Sequence, residues 1–323
     1  MRSLFQRAIR LAGKLVLAGL IAIATGEVAC RIMGYGGGII YPRGLYVASD
    51  NPALAVEFKP GFTGRAYGQP VRINSLGFRG PEIERTPDEG TYRILAVGDS
   101  FTYGMGVAEE EAWPSVLQDM LEPPEGFDRV EVINTGVPGY NLWQGIEVIR
   151  TWTPELKPHL IVFALVANDL EPAFYVKDGY LHVPGRTYSW PIPGKRWLQT
   201  RSHLYQFLSL RFTQLITARV GYEEMAAPSD PELLRAYRAA REEGVDSLKA
   251  LLEEFGEPDD PALYVAEINL PETGVAEVVA ESGAPAFPVS LDPDEVLLDG
   301  HPDAAGHERM ARQIAGQLIQ ERH

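Results

Sequence analysis

A serine stands in Gly98-Asp99-Ser100-Phe101-Thr102-Tyr103-Gly104, directly after the apolar run Arg93-Ile94-Leu95-Ala96-Val97. A hydroxyl at a strand-to-helix turn projects from a sheet edge beside exposed backbone N–H groups, a placement suited to nucleophilic attack. By itself Gly-Asp-Ser is a common tripeptide. No Gly-Lys-Ser/Thr follows and no lysine is near, so the turn is not a phosphate loop. Of the six histidines, only His301 has a carboxylate two residues upstream in a turn set by glycine and proline, Leu298-Asp299-Gly300-His301-Pro302-Asp303. Asp299 can hold that imidazole in one tautomer, the arrangement a general base needs. Asp299 and Asp303 read equally well as caps of a final helix, and His307 as a helix residue packed against the turn.

Two further segments offer donors for a developing oxyanion. Gly139, in Asn134-Thr135-Gly136-Val137-Pro138-Gly139-Tyr140-Asn141, presents an N–H that no side chain blocks. The alternative is an ordinary turn with Asn141 capping the next helix. Asn168, in Ala167-Asn168-Asp169-Leu170, supplies an amide donor, although Asn-Asp is also a routine helix start. Ser100, His301 with Asp299, and the donors Ser100 N–H, Gly139 N–H and Asn168 together meet the requirements of acyl transfer. That chemistry needs no metal and no organic cofactor.

The elements that must position these residues follow from the hydrophobic pattern. Short apolar runs occur at 93–98, 130–134, 160–166 and 262–268, with a weaker fifth at 286–289. Helical stretches separate them at 112–121, 142–152, 231–255 and 304–320. Apolar strands alternating with amphipathic helices predict a three-layer α/β/α sandwich around a parallel sheet of about five strands. Ligands of such sheets sit beyond the carboxyl ends of the strands, where Ser100, Gly139 and Asn168 fall. Residues ~34 to ~90, rich in Gly, Pro and aromatics, read as a linker and an irregular β-rich segment packed on the main domain. Residues ~170 to ~215 read as a long loop insertion, either lining a substrate entrance or burying its own aromatics.

The N-terminus carries Arg2, Arg7, Arg10 and Lys14 and then the apolar run Leu15–Ala24. A basic segment before an apolar core is an export pattern. Counted from Ala8 to Ala29, with Arg10 and Lys14 snorkelling, it is long enough for a membrane span. The favoured reading is an uncleaved single-pass anchor at 1–33 that leaves the 91–323 domain outside the cytoplasm. A cleaved signal followed by secretion and a soluble amphipathic start are the alternatives.

Composition bounds the rest. Across 323 residues, 45% are hydrophobic and 23% charged, as in ordinary globular proteins. Lys plus Arg number 29 against 44 Asp plus Glu, and the net charge of −15 repels phosphate backbones, so no nucleic-acid partner is expected. The single cysteine, Cys30, excludes an intrachain disulfide and a cysteine-based zinc site.

From about Arg93 onward, four blocks in order resemble the SGNH, or GDSL-type, hydrolases: Gly98-Asp99-Ser100, Asn134 to Gly139, Ala167-Asn168-Asp169 and Asp299-Gly300-His301-Pro302. The resemblance implies a flavodoxin-like SGNH fold, Ser100 as nucleophile, Gly139 and Asn168 as oxyanion donors, and Asp299 and His301 as acid and base. Two departures stand out. Val166 replaces the usual glycine of the third block, and Asp299 lies two positions before His301 rather than three. The shorter spacing is similar to that of SGNH-like acetyltransferases acting on exopolysaccharides. Asn74-Ser75-Leu76-Gly77-Phe78-Arg79-Gly80 resembles membrane-tethered bacterial members of the superfamily. The expected function is a serine esterase cleaving acyl esters, with an ester or acylated glycan as substrate. An envelope O-acetyltransferase and a catalytically silent glycan-binding scaffold are the alternatives.

Overall fold

The computed structural model describes residues 2–33, 44–177, 180–182, 194–220, 231–257, 260–270, 274–297 and 300–320. Helix α1 (Arg2–Ile32) is followed by two short antiparallel ribbons, β1 (Tyr46–Ala48) with β2 (Val56–Phe58) and β3 (Thr63–Ala66) with β4 (Gln69–Arg72). Next come β5 (Thr91–Val97), the one-turn helix α2 (Ser100–Tyr103), α3 (Trp113–Met120), β6 (Arg129–Asn134), α4 (Leu142–Leu156) and β7 (Leu160–Leu165). A third ribbon, β8 (Tyr175–Lys177) with β9 (Tyr180–His182), precedes α5 (Lys195–Arg201), α6 (His203–Val220) and α7 (Pro231–Glu254). The remaining elements are β10 (Ala262–Ile268), α8 (Gly274–Ser282), β11 (Ala286–Val289) and α9 (Ala304–Gln320). The chain divides into two compact units, 1–40 with 189–222, and 41–188 with 223–323.

The larger unit is an α/β sandwich on a five-stranded, all-parallel sheet of order β6-β5-β7-β10-β11. Numbered by appearance this is 2-1-3-4-5, the doubly wound order whose crevice opens where strand direction of winding reverses, between β5 and β7. All five expected strands are present. Alternation along β5 sorts side chains to two faces. Leu95 and Val97 join a core with α4, α7 and α8, and Ile94 and Ala96 join another with α3 and α9. Every residue of β7 is buried, as a strand covered on both faces requires. Each such aliphatic or aromatic side chain contributes about 1.5–3 kcal/mol on burial.

The helix expected to stop at Trp152 continues to Leu156, because Pro154 falls in its last turn, where the lost N–H costs one bond. The β-rich segment shares the first core through Leu45, Leu54, Val56, Phe58 and Phe78. Hydrogen bonds reinforce that join: Tyr140 Oη donates to Val56 O at 2.7 Å, and Gln144 Nε2 donates to Leu54 O.

The stretch from 170 to 215, expected as a loop, is instead partly regular, with the β8–β9 ribbon and helices α5 and α6 among its described residues. Its Gly- and Pro-rich opening (179–194) hid the helical run behind it, and residues 183–193 lie outside the described residues. In the smaller unit, α5 and α6 belong with α1. The Glu27 carboxylate accepts from Ser202 Oγ at 2.8 Å, Leu204 N at 3.0 Å and His203 N at 3.1 Å.

Candidate active site

The turn after β5 is built around two residues. Gly98 lies against the neighbouring strand, and a Cβ there would stand 2.7 Å from Ala164 O, so only glycine fits. Asp99 then caps α2 by accepting from Phe101 N at 2.9 Å, which starts the helix at Ser100. Ser100 is thereby held, buried, at the carboxyl end of β5.

The turn before α9 delivers the histidine. Leu297 N donates to His301 O at 2.7 Å, and Val296 bridges to Pro302. Asp303 accepts from Gly306 N at 2.9 Å, capping α9 as one sequence reading expected. The result is an approach across 201 residues: His301 Nε2 lies 2.9 Å from Ser100 Oγ. The Phe101 ring packs on the imidazole with centroids 5.4 Å apart. At this distance a neutral imidazole can take the hydroxyl proton. Asp299, the expected orienting acid, and Leu298 lie outside the described residues.

The serine hydroxyl also lies 3.2 Å from Asp99 Oδ2, so one proton faces two acceptors. Burial pushes the Asp99 carboxyl above its usual range, against the opposing effects of the Phe101 N–H and the His301 charge. Asp169, also fully buried, is pushed well above its range by burial and by the charge of Asp99.

Gly139 follows β6, and Asn168 follows β7, at the same edge of the sheet. Gly139 has φ +88, and a Cβ there would stand 2.3 Å from the Phe174 ring. An aromatic from the 170–215 stretch therefore covers this glycine. Asn141 caps α4 by accepting from Gln144 N at 3.1 Å, so the capping reading of that segment also holds. At the third block, Val166 N donates to Asp169 Oδ2 at 2.8 Å, and the Val166 side chain is buried in the second core. Its φ lies outside the left-handed region, so the turn does not require the glycine that valine replaces. Among the described residues, no group of three or more His, Cys, Asp or Glu side chains is arranged to hold a metal ion.

The profile of the GDSL-like lipase/acylhydrolase family matches residues 96–309, which takes in both Ser100 and His301. The chain belongs to this family. It is 31% identical over 84 residues to the esterase TesA of Pseudomonas aeruginosa, a match covering 26% of this chain and 41% of that protein. It is also 31% identical over 81 residues to an arylesterase of Vibrio mimicus, covering 25% and 40%. The chain thus spans about two fifths of the length of the curated relatives it matches. Among solved structures, that of TesA is 18% identical with a TM-score of 0.40, covering 70% of this chain and 97% of the other. That likeness is too loose to bear on function.

Outside the GDSL-type blocks, the sequence reading assigned no role to Arg79. The structure gives it one. Asn74 Oδ1 accepts from Leu76 N and Phe78 N, at 3.0 and 2.9 Å, and tightens the loop that presents the arginine. The buried guanidinium donates to Tyr103 O at 2.6 Å, Gly104 O at 2.7 Å and Val107 O at 2.7 Å, and stacks 4.5 Å above the Tyr103 ring. These carbonyls close the one-turn helix that begins with Ser100. The signal was present in Asn74 to Gly80, a polar motif in an otherwise irregular segment.

His307 is fully buried in α9, where its Nδ1 accepts from Trp113 N at 3.3 Å. Burial, then the charges of Arg79 and His301, lower its pKa to about 3. An unfolded imidazole titrates near ~6.5. Between those values the unfolded chain binds a proton that the folded one does not, so stability is lost as pH falls from about 6.5 toward 3. In His307→Gln the side-chain carbonyl still accepts from Trp113 N, and the acid limb of the stability–pH curve should flatten. Chemical denaturation across that range would contradict this if the limb kept its slope.

Proposed function

We propose that this GDSL-family chain is a serine esterase working through an acyl-enzyme. The observation that carries the reading is the 2.9 Å approach of His301 Nε2 to Ser100 Oγ at the carboxyl end of β5. His301 takes the hydroxyl proton as Ser100 Oγ attacks an ester carbonyl, and returns it to the leaving alcohol. Asp299 orients the imidazole. Ser100 N–H, Gly139 N–H and the Asn168 amide receive the oxyanion. Water then enters, and His301 repeats its cycle to release the acid. Asn168→Ala should lower kcat by roughly 10²-fold, the usual cost of one such donor, with KM little changed. A loss below about threefold in steady-state hydrolysis of an aryl ester would remove Asn168 from the site.

The acyl group we propose is small, acetyl being the first to try, because the Phe174 ring packs directly on Gly139. The site of action we propose is the outer face of the cytoplasmic membrane, with α1 as an uncleaved anchor. Ile9–Ile32 has a mean hydropathy of 1.9 and almost no burial. Its basic flank favours the cytoplasm. Retention is supported by Glu27, which α6 uses as the acceptor for its first N–H groups and would lose on cleavage. The test is turnover of aryl acetate by the full chain, with products analysed with and without an oligosaccharide acceptor. Free acetate in both supports an esterase; acetylated sugar with little acetate would instead establish a transferase.

A further inference from the structure

The helices α5 and α6 carry a charge and surface shared with α1 and unlike the rest of the chain. From Gly179 to Tyr222 there is no Asp or Glu, although the whole chain has 44. The same stretch holds Arg186, Lys195, Arg196, Arg201, Arg211 and Arg219. Apolar and aromatic residues fill most of the first ten positions of α6: Leu204, Tyr205, Phe207, Leu208, Leu210 and Phe212. The apolar side of a helix is ordinarily buried against a core or in a bilayer. Here large apolar side chains are exposed instead: Trp197 by 61%, Leu208 by 55% and Phe212 by 66%.

These helices are joined to the outer end of the candidate membrane span. Glu27 accepts from the first N–H groups of α6, Arg31 Nη2 donates to Arg201 O at 2.6 Å, and Leu204 packs on Gly26, where a Cβ would meet it at 3.1 Å. If α1 crosses a bilayer with its basic flank inside, its last turn emerges at the opposite headgroup layer, and α5 with the start of α6 stands there. Tryptophan and cations flanking an apolar helix are the composition of that layer. An acidic protein would otherwise be repelled from anionic lipid, and this one keeps that stretch free of acids.

We propose that α5–α6 is a membrane-interface element. Trp197, Leu208 and Phe212 enter the boundary between headgroups and acyl chains, and Lys195, Arg201 and Arg211 meet anionic lipid phosphates. The proposal rests on the reading of α1 as a membrane span and extends it from a tether to a two-point attachment.

The test uses the full chain carrying Cys30→Ala, reconstituted into phosphatidylcholine vesicles with and without phosphatidylglycerol. Spin labels are placed singly through Leu208→Cys, Phe212→Cys and, within α1, Val16→Cys. Collision with oxygen is compared with collision with a water-soluble nickel chelate. All three labels should favour oxygen severalfold, and Lys195→Glu with Arg201→Glu and Arg211→Glu should shift labels 208 and 212 toward nickel without moving label 16. Nickel-favoured labels at 208 and 212 beside an oxygen-favoured label at 16 would overturn the interface element and leave the anchor standing. A nickel-favoured label at 16 would overturn the anchor and the interface element with it. Labels 208 and 212 unmoved by charge reversal would overturn the role given to anionic lipid.

Discussion

Ser100→Ala should abolish ester turnover, by roughly 10⁴-fold or more, while the protein melts where the parent does. The substitution removes one hydroxyl whose partners are His301 Nε2 and Asp99 Oδ2. Asp99 keeps its bond from Phe101 N, so α2 stays capped. His301 keeps its turn through Leu297 N and its contact with Phe101. The expected pair of results is therefore a dead enzyme and an unchanged melting curve. Full activity in Ser100→Ala would end the assignment, and a large fall in melting temperature would mean that the hydroxyl serves the fold instead.

The second large effect should come from Arg79→Met. Three buried carbonyls lose the guanidinium at once: Val107 O loses its donor outright, while Tyr103 O and Gly104 O fall back on the longer bonds from Asn134 Nδ2 at 3.3 Å and Val107 N at 3.4 Å. A hydrogen bond to a charged group contributes about 1.5–3 kcal/mol, and stranding its buried partner costs a similar amount. Melting should fall by many degrees. Beyond stability, the turn that holds Ser100 would be free to shift, and a misplacement of about 1 Å costs roughly 10²-fold in rate. Arg79→Lys separates the two effects, since an ammonium reaches fewer carbonyls yet keeps the charge. Well below its melting point, Arg79→Lys should show reduced kcat, near-normal KM, and slower modification of Ser100 by a fluorophosphonate. A normal modification rate in the folded protein would leave Arg79 with a structural role alone.

The sheet was legible in the sequence because a parallel strand covered on both faces has to be apolar throughout, as β7 is. Its strand order was not, since pairing between β5 and β7 depends on tertiary packing that periodicity does not encode. Ser100 and His301 were legible as pieces at strand and turn boundaries, and ordered family blocks joined them. Arg79 was not. An arginine in a Gly/Pro-rich stretch reads as a solvent-exposed cation, and its burial depends on three carbonyls that lie 24 to 28 residues later. Asp169 hid for a similar reason: beside Asn168 it resembles a helix cap, and its raised pKa comes from burial and from Asp99. Helices α5 and α6 were masked by the prolines and glycines before them. Valine at 166 was flagged as a departure, and proved compatible because its N–H and side chain both have partners.

The central claim is that Ser100 is an activated nucleophile with His301 as its base. Its most direct test is to incubate the full chain, Ser100→Ala and His301→Ala with a fluorophosphonate probe and map the adducts by mass. The prediction is one adduct on Ser100 in the parent chain, none in Ser100→Ala, and a rate near background in His301→Ala. Absence of adduct on the folded parent chain, or equal labelling of Ser100 when His301 is gone, would contradict it.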